Sequence, residues 1–204
     1  MIAHHIESAL RPLADPSRAA GMAAYMRDQF PFLGVATPQR RRAVKGLLPR
    51  TLDTELVDAL FALPEREFHY VACDHLGQVP LESAAADFLR SLVVRKSWWD
   101  TVDALAKPVG QACTPQEMQA WARDENLWVR RVAVLHQLGR REATDTGLLG
   151  EILTANLDSG EFFIDKAVGW ALREYSKTDP AWVRDFLDEH VVAPLTRREG
   201  AKYL

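Results

Sequence analysis

The sequence predicts an all-α protein in which paired helices repeat along the chain as a curved α-α superhelix. Three observations carry this. Strand signals are nearly absent, with no long alternating runs and no Asn-Gly or Asp-Gly hairpin turns. Helix-start signals recur, and Pro and Gly fall mostly at the joints between helical segments. The segments FHYVACDHL, DTVDALAKPV, RRVAVLHQL and DKAVGWALR follow one another at intervals of roughly 30 to 35 residues, a period that suits stacked helix pairs of the HEAT-like kind. An irregular helical bundle is the architectural alternative.

The elements follow in order. A short terminal helix carries His4 and His5 as surface residues. Thr37-Pro38 offers an N-cap followed by a proline at the first helical position, opening PQRRRAVKGLL. Ser97, three residues before Asp100, resembles a capping box at the head of the WWDTVD helix. Asp124-Glu125-Asn126 precedes LWVRRVAVLHQL. Gly160-Glu161 precedes FFIDKAVGWALREYSK, and Asp179-Pro180 ends that helix and opens AWVRDFLDEHV.

Composition narrows the function classes. At 204 residues and 48% hydrophobic content, a single domain over residues 1–204 is expected. No apolar run approaches the roughly 20 residues that span a bilayer, and the N-terminus lacks a signal peptide's basic start and apolar segment. Cys73 and Cys113 lie far apart without histidines at ligand spacing, which points to a reducing cytosol and neither a disulfide framework nor a zinc site. No HExxH-like pattern occurs, so neither a metal nor another cofactor is expected. The net charge of -3 argues against a uniformly basic nucleic-acid binder, but the cations are clustered: Arg40, Arg41, Arg42 and Lys45 in one group, Arg130 and Arg131 in another. Solvated helix faces would explain such clusters equally well.

Helical geometry sorts the remaining candidates. Near Phe162 to Lys177, Ile164, Ala167, Val168, Ala171, Leu172 and Tyr175 form a complete core stripe. Trp170 lies opposite it, at about 100° per residue, on a face shared with Lys166, Arg173 and Lys177. A tryptophan centred in a basic stripe suits a phosphate-backbone site. In SWWDTVD, Trp98, Val102 and Leu105 form the core stripe and Asp100 serves the helix N-terminus. Trp99 and Asp103, four residues apart, share another face. On the third helix Trp128, Val132 and Leu135 are core and Arg130 projects to the polar side with Gln137. Arg131 falls among apolar neighbours and must pair its charge, either with an internal carboxylate or with a bound anion.

With these residues in hand, the chain resembles the DNA alkylation repair family, the AlkD-like alkylpurine DNA glycosylases built from HEAT-like repeats. The resemblance runs from FLGVATPQRRR through SWWDTVD, NLWVRRVAVLHQL and FFIDKAVGWALREYSKTDP to RREGAKYL. Gly200, where the family more usually has alanine, and a short N-terminal helix depart from the pattern.

The resemblance implies excision of cationic N3- or N7-alkylated purines from double-stranded DNA, without extruding the base. It implies a concave DNA-binding face, with Asp103 as catalytic aspartate, Trp99 and Trp170 as the tryptophans on the lesion nucleotide, and Arg131 as an arginine on its backbone. Arg40, Arg41, Arg42, Lys45, Arg130, Lys166, Arg173 and Lys177 are the expected DNA-binding cations. The expected protein is a cytoplasmic monomer without membrane contact, whose Asp103 stays ionised near a helix N-terminus. The family also includes DNA binders without glycosylase activity. Two non-enzymatic readings therefore stand beside the enzyme: a binder of bent or junction DNA, and a scaffold for a protein partner.

Overall fold

The computed structural model describes residues 2–157 and 159–204, all of them helical or in turns and loops, with no strand among the described residues. The chain divides into two compact units, Met1–Pro80 and Leu81–Leu204. No helix among the described residues is long and apolar enough to cross a membrane.

The first unit contains α1 (Ile2–Leu10), α2 (Pro16–Tyr25), α3 (Thr37–Ala43), α4 (Thr54–Ala62) and α5 (Arg66–Leu76). Its core is built where α4 packs on α5 and α1 packs on both α3 and α4, with Leu60, Phe61, Phe68 and Val71 fully buried. Asp15 and Asp53 cap α2 and α4 by accepting from Arg18 N and Leu56 N. At the head of α5 the buried Glu67 ties down the loop before α3. Its Oε1 accepts from Gly34 N at 2.8 Å and Val35 N at 3.0 Å, and its Oε2 from Leu33 N at 2.9 Å. Three backbone donors on one buried carboxyl satisfy groups that the loop would otherwise leave unpaired.

The second unit contains α6 (Ala86–Val93), α7 (Trp99–Ala112), α8 (Pro115–Trp121), α9 (Leu127–Leu135), α10 (Thr146–Thr154), α11 (Phe162–Tyr175), α12 (Pro180–Glu189) and α13 (Pro194–Gly200). Alternate helices stack in sequence: α7 on α9, α9 on α11, α11 on α13, while α6, α8, α10 and α12 pack beside them. The repeat shows in the side-chain bonds between successive pairs. Arg90 to Asp124, Asn156 to Ala122 O and Thr196 to Asp165 O join residues 34, 34 and 31 apart. Such stacking gives each pair a buried face that it lacks alone.

Most expected helix starts are present. Asn126 caps α9 by accepting from Trp128 N, and Asp179 caps α12 by accepting from Trp182 N. Two differ. Thr37 is the first residue of α3, whose N-cap is Ala36 without a side-chain bond, and Pro38 sits second in the helix. Ser97 turns back to donate its hydroxyl to Val93 O at 2.7 Å, and the extended Trp98 takes the N-cap position of α7. The core stripe on α11 forms as expected, with Tyr175 half-buried at its end. Gln137, expected on the polar side, is buried, where its amide pairs with the backbone N–H and carbonyl of Asp145.

Glu67→Gln turns one acceptor into an amide donor facing backbone N–H groups. It is expected to lower stability by about 2 kcal/mol in urea denaturation, and a change below about 0.5 kcal/mol would mean that Glu67 does not hold the loop.

Candidate active site

Asp103 stands one turn into α7, on the same face as Trp99, which opens the helix. Directly across from it on α9 is Arg131. The fork closes on the carboxylate with both arms, Nε to Oδ1 at 2.6 Å and Nη2 to Oδ2 at 2.7 Å. Nη1 donates to Phe163 O on α11. One guanidinium therefore ties three successive stacked helices together. The Arg131 side chain is 1% exposed and that of Asp103 is 23% exposed. The pair is thus oriented: the cation sits behind and the carboxylate stands in front of it, reachable from solvent.

Two glycines allow the helices to come this close. A Cβ on Gly110 of α7 would lie 2.5 Å from His136 O just past α9, and one on Gly169 of α11 would lie 2.6 Å from the Glu199 Cβ of α13. An aromatic cluster braces the same ends. Trp98, Trp128 and Phe163, at the heads of α7, α9 and α11, have ring centroids 5.1 to 5.6 Å apart. Trp98 and Trp128, expected as plain core, are half-buried members of this cluster, and the Trp98 indole N–H is buried without an acceptor among the described residues. By fixing Phe163, the cluster also fixes the carbonyl that holds the third arm of Arg131.

Trp170 on α11 collects cations around its indole. The Arg131 guanidinium carbon is 5.4 Å from the ring centroid, the Lys166 ammonium 5.5 Å and the Arg173 guanidinium carbon 5.8 Å. Such interactions are worth about 0.5–2 kcal/mol depending on desolvation. Arg173 also donates to Glu199 at 2.9 Å. Lys177, expected to continue the stripe, pairs with Glu174 and lies over Tyr203 rather than Trp170.

Burial pushes the Asp103 carboxyl above its ordinary value; the Arg131 fork pulls it down without cancelling the effect, and Asp100 adds a smaller upward push. The charge state of Asp103 thus rests on a balance between burial and one arginine.

The other expected DNA-binding residues separate. In the first unit Arg40 is buried against the Tyr70 ring at 4.9 Å and donates to Asp74 at 3.0 Å, so it is a structural residue and not a surface cation. Arg41 is exposed and bonds the same carboxylate, at 2.7 Å from its Nη2. Burial raises Asp74, but the forks of Arg41 and Arg40 more than offset this and hold it below its ordinary value. Arg42 and Lys45 are exposed. In the second unit Arg130 turns to the backbone, donating to Asp124 O and Glu125 O. Arg131, for which an anion and an internal carboxylate were both open, takes the carboxylate. Its guanidinium is thus engaged by Asp103 and by Phe163 O. Phe162, Phe163, Gly110 and Glu199 were missed, because helical spacing ranks residues along one helix and these act between helices. Among the described residues no group of three or more His, Cys, Asp or Glu side chains is placed to hold a metal ion.

Fold and site together define a helical-repeat protein that presents one carboxylate, backed by a buried arginine, beside indoles and cations. The model of the DNA alkylation repair enzyme family matches residues 6–204, and the chain belongs to that family. A solved structure described as a predicted DNA alkylation repair enzyme from Enterococcus faecalis is similar over 94% of this chain and 96% of its own, at 38% identity and a TM-score of 0.85. No protein of curated function matches the chain. Membership supports a role in the repair of alkylated DNA, with DNA as the partner.

The unequal exposure of the pair predicts unequal costs. Asp103→Ala strands a buried guanidinium and is expected to cost about 3 kcal/mol or more, whereas Arg131→Met leaves a part-exposed carboxylate and costs less. Equal losses in thermal or urea unfolding would contradict the inward-facing arginine.

Proposed function

We propose that this protein is a monofunctional DNA glycosylase that hydrolyses the N-glycosidic bond of cationic N3- and N7-alkylated purines, such as 3-methyladenine and 7-methylguanine, in double-stranded DNA. The observation that carries the reading is the oriented pair: a carboxylate held by both arms of a buried arginine, with its free edge toward solvent, on one face with Trp99 and near Trp170.

The chemistry suits so sparse a site. An alkylated purine already bears positive charge and leaves as a neutral base, so no general acid has to protonate it. As the C1′–N bond breaks, its electron pair goes to the purine and positive charge develops on the deoxyribose. A fixed carboxylate beside C1′ stabilises that charge and orients a water, as carboxylates do in glycoside hydrolysis. The water oxygen bonds to C1′ and its proton passes by way of Asp103 to solvent, leaving an abasic site. Trp99 and Trp170 wall the sugar and limit water access. Arg131 acts through Asp103: it fixes the carboxylate's orientation and favours its charged form, a positioning role in place of a bond to phosphate. No lysine nucleophile is required, so strand cleavage is not part of the reaction. The base stays in the duplex, because the groups that the reaction needs all act on the sugar and backbone.

Two measurements test this. Asp103→Asn leaves one acceptor for the Arg131 fork and is expected to bind methylated duplex while releasing 7-methylguanine about a hundredfold more slowly, the cost of losing one preorganised electrostatic group. Release at the wild-type rate would sink the assignment, and binding without release by the wild-type protein would make it a silent DNA binder. The ionised carboxylate is the active form, so release falls as pH drops through the Asp103 titration. Because burial raises that group, the midpoint is expected above the ordinary value of about 3.9. A midpoint at or below it would contradict the site. In the first unit, neutralising Arg42 or Lys45 is expected to reduce the salt slope of DNA binding by about 0.9 for each phosphate that the side chain no longer neutralises. An unchanged slope removes that residue from the interface.

A further inference from the structure

The site needs a positive charge for the DNA backbone, and Arg131, the residue that resemblance offers for it, is engaged elsewhere. The cations gathered on Trp170 supply the alternative. Of the three, Arg131 is neutralised by Asp103 and Arg173 by Glu199. Lys166 has no carboxylate partner among the described residues; its neighbour Asp165 takes the Ser159 hydroxyl. Among the described residues, the face around the indole therefore carries one uncompensated positive charge, that of Lys166.

Lys166 is also held in place. Phe162 and Trp170 lie four residues to either side of it on α11, so the three side chains stand on one face. The ammonium lies 5.7 Å from the Phe162 ring centroid and 5.5 Å from that of Trp170. Phe162 is 53% exposed, with its ring 5.4 Å from that of Phe163. The two rings hold the ammonium by cation–π attraction, and the Lys166 side chain remains partly exposed. A lysine so restrained loses less rotamer freedom on taking a ligand than one on a bare helix face.

Resting on the glycosylase reading of this face, we infer that Lys166, held between Phe162 and Trp170, is the residue that grips a phosphodiester flanking the lesion nucleotide and so sets the position of its deoxyribose before the Asp103 carboxylate. Lys166 is a positioning residue. Arg131 holds the carboxylate, Lys166 holds the strand, and the Trp170 indole lies against both.

The test pairs a protein change with a DNA change. Binding is measured on a duplex carrying a tetrahydrofuran nucleotide, which cannot be excised, so a protein that binds without catalysis still gives an answer. Methylphosphonates neutralise the phosphates 5′ and 3′ of that nucleotide one at a time. For the wild-type protein one of the two replacements is expected to weaken binding about tenfold, the scale of a charge-assisted bond. In Lys166→Met, which keeps the stem, the same replacement has no further effect, and Lys166→Arg restores much of the sensitivity. Lys166→Met also reduces the salt slope by about 0.9. Arg131→Met keeps the full methylphosphonate penalty, because that guanidinium does not reach the backbone. The same penalty in wild type and Lys166→Met would overturn the inference, as would its disappearance in Arg131→Met. Absence of excision by the wild-type protein, with the coupling intact, would count against the glycosylase reading and not against the phosphate grip.

Discussion

The bond on which the candidate site depends is the two-armed ion pair between Asp103 and Arg131. It joins α7 to α9, and the third arm of the same guanidinium reaches the backbone of α11. A buried ion pair is weak evidence for stability, since desolvation cancels much of its attraction. Its value lies in what it fixes. The carboxylate cannot turn away from solvent without breaking two bonds to a cation that has no other anionic partner among the described residues.

Glu67, Asp74 and Asp103 are held in three different ways, and the differences follow from their donors. Glu67 is closed in by backbone N–H groups and ties down a loop. Asp74 faces two arginines, which overcome the cost of burial and hold it below its ordinary value. Asp103 faces one, which does not, so its carboxyl lies above. A group with its donors saturated is a structural anchor. One with an incomplete set and a solvent-facing edge can still take up a developing positive charge, and Asp103 is of that kind.

Much of this was legible in the sequence and some was not. Period and caps pointed to the stacked helices, and spacing alone separated Trp170 from the core stripe and placed Trp99 with Asp103. The buried position of Arg131 was legible too, from its apolar neighbours, but its partner was not, because helical spacing says nothing about which residue of the next helix stands opposite. For the same reason Arg40, one of a run of three arginines, could not be recognised as the one that turns inward to Asp74 and Tyr70. Ser97 failed as a cap because a carbonyl one turn back drew its hydroxyl, and Thr37 lies inside the helix, with Ala36 at the N-cap. Pairings between helices decide the site, and they become visible only when the repeats are stacked.

The central claim is that the Asp103 carboxylate is complementary to positive charge at C1′. Transition-state complementarity should appear as binding preference. The most direct measurement compares the affinity of the protein for two duplexes, one with a pyrrolidine cation in place of the deoxyribose and one with a neutral tetrahydrofuran. The account predicts that the wild-type protein favours the cation by at least about tenfold and that Asp103→Asn loses that preference while still binding the neutral duplex. Equal affinity of the wild-type protein for the two duplexes would contradict it.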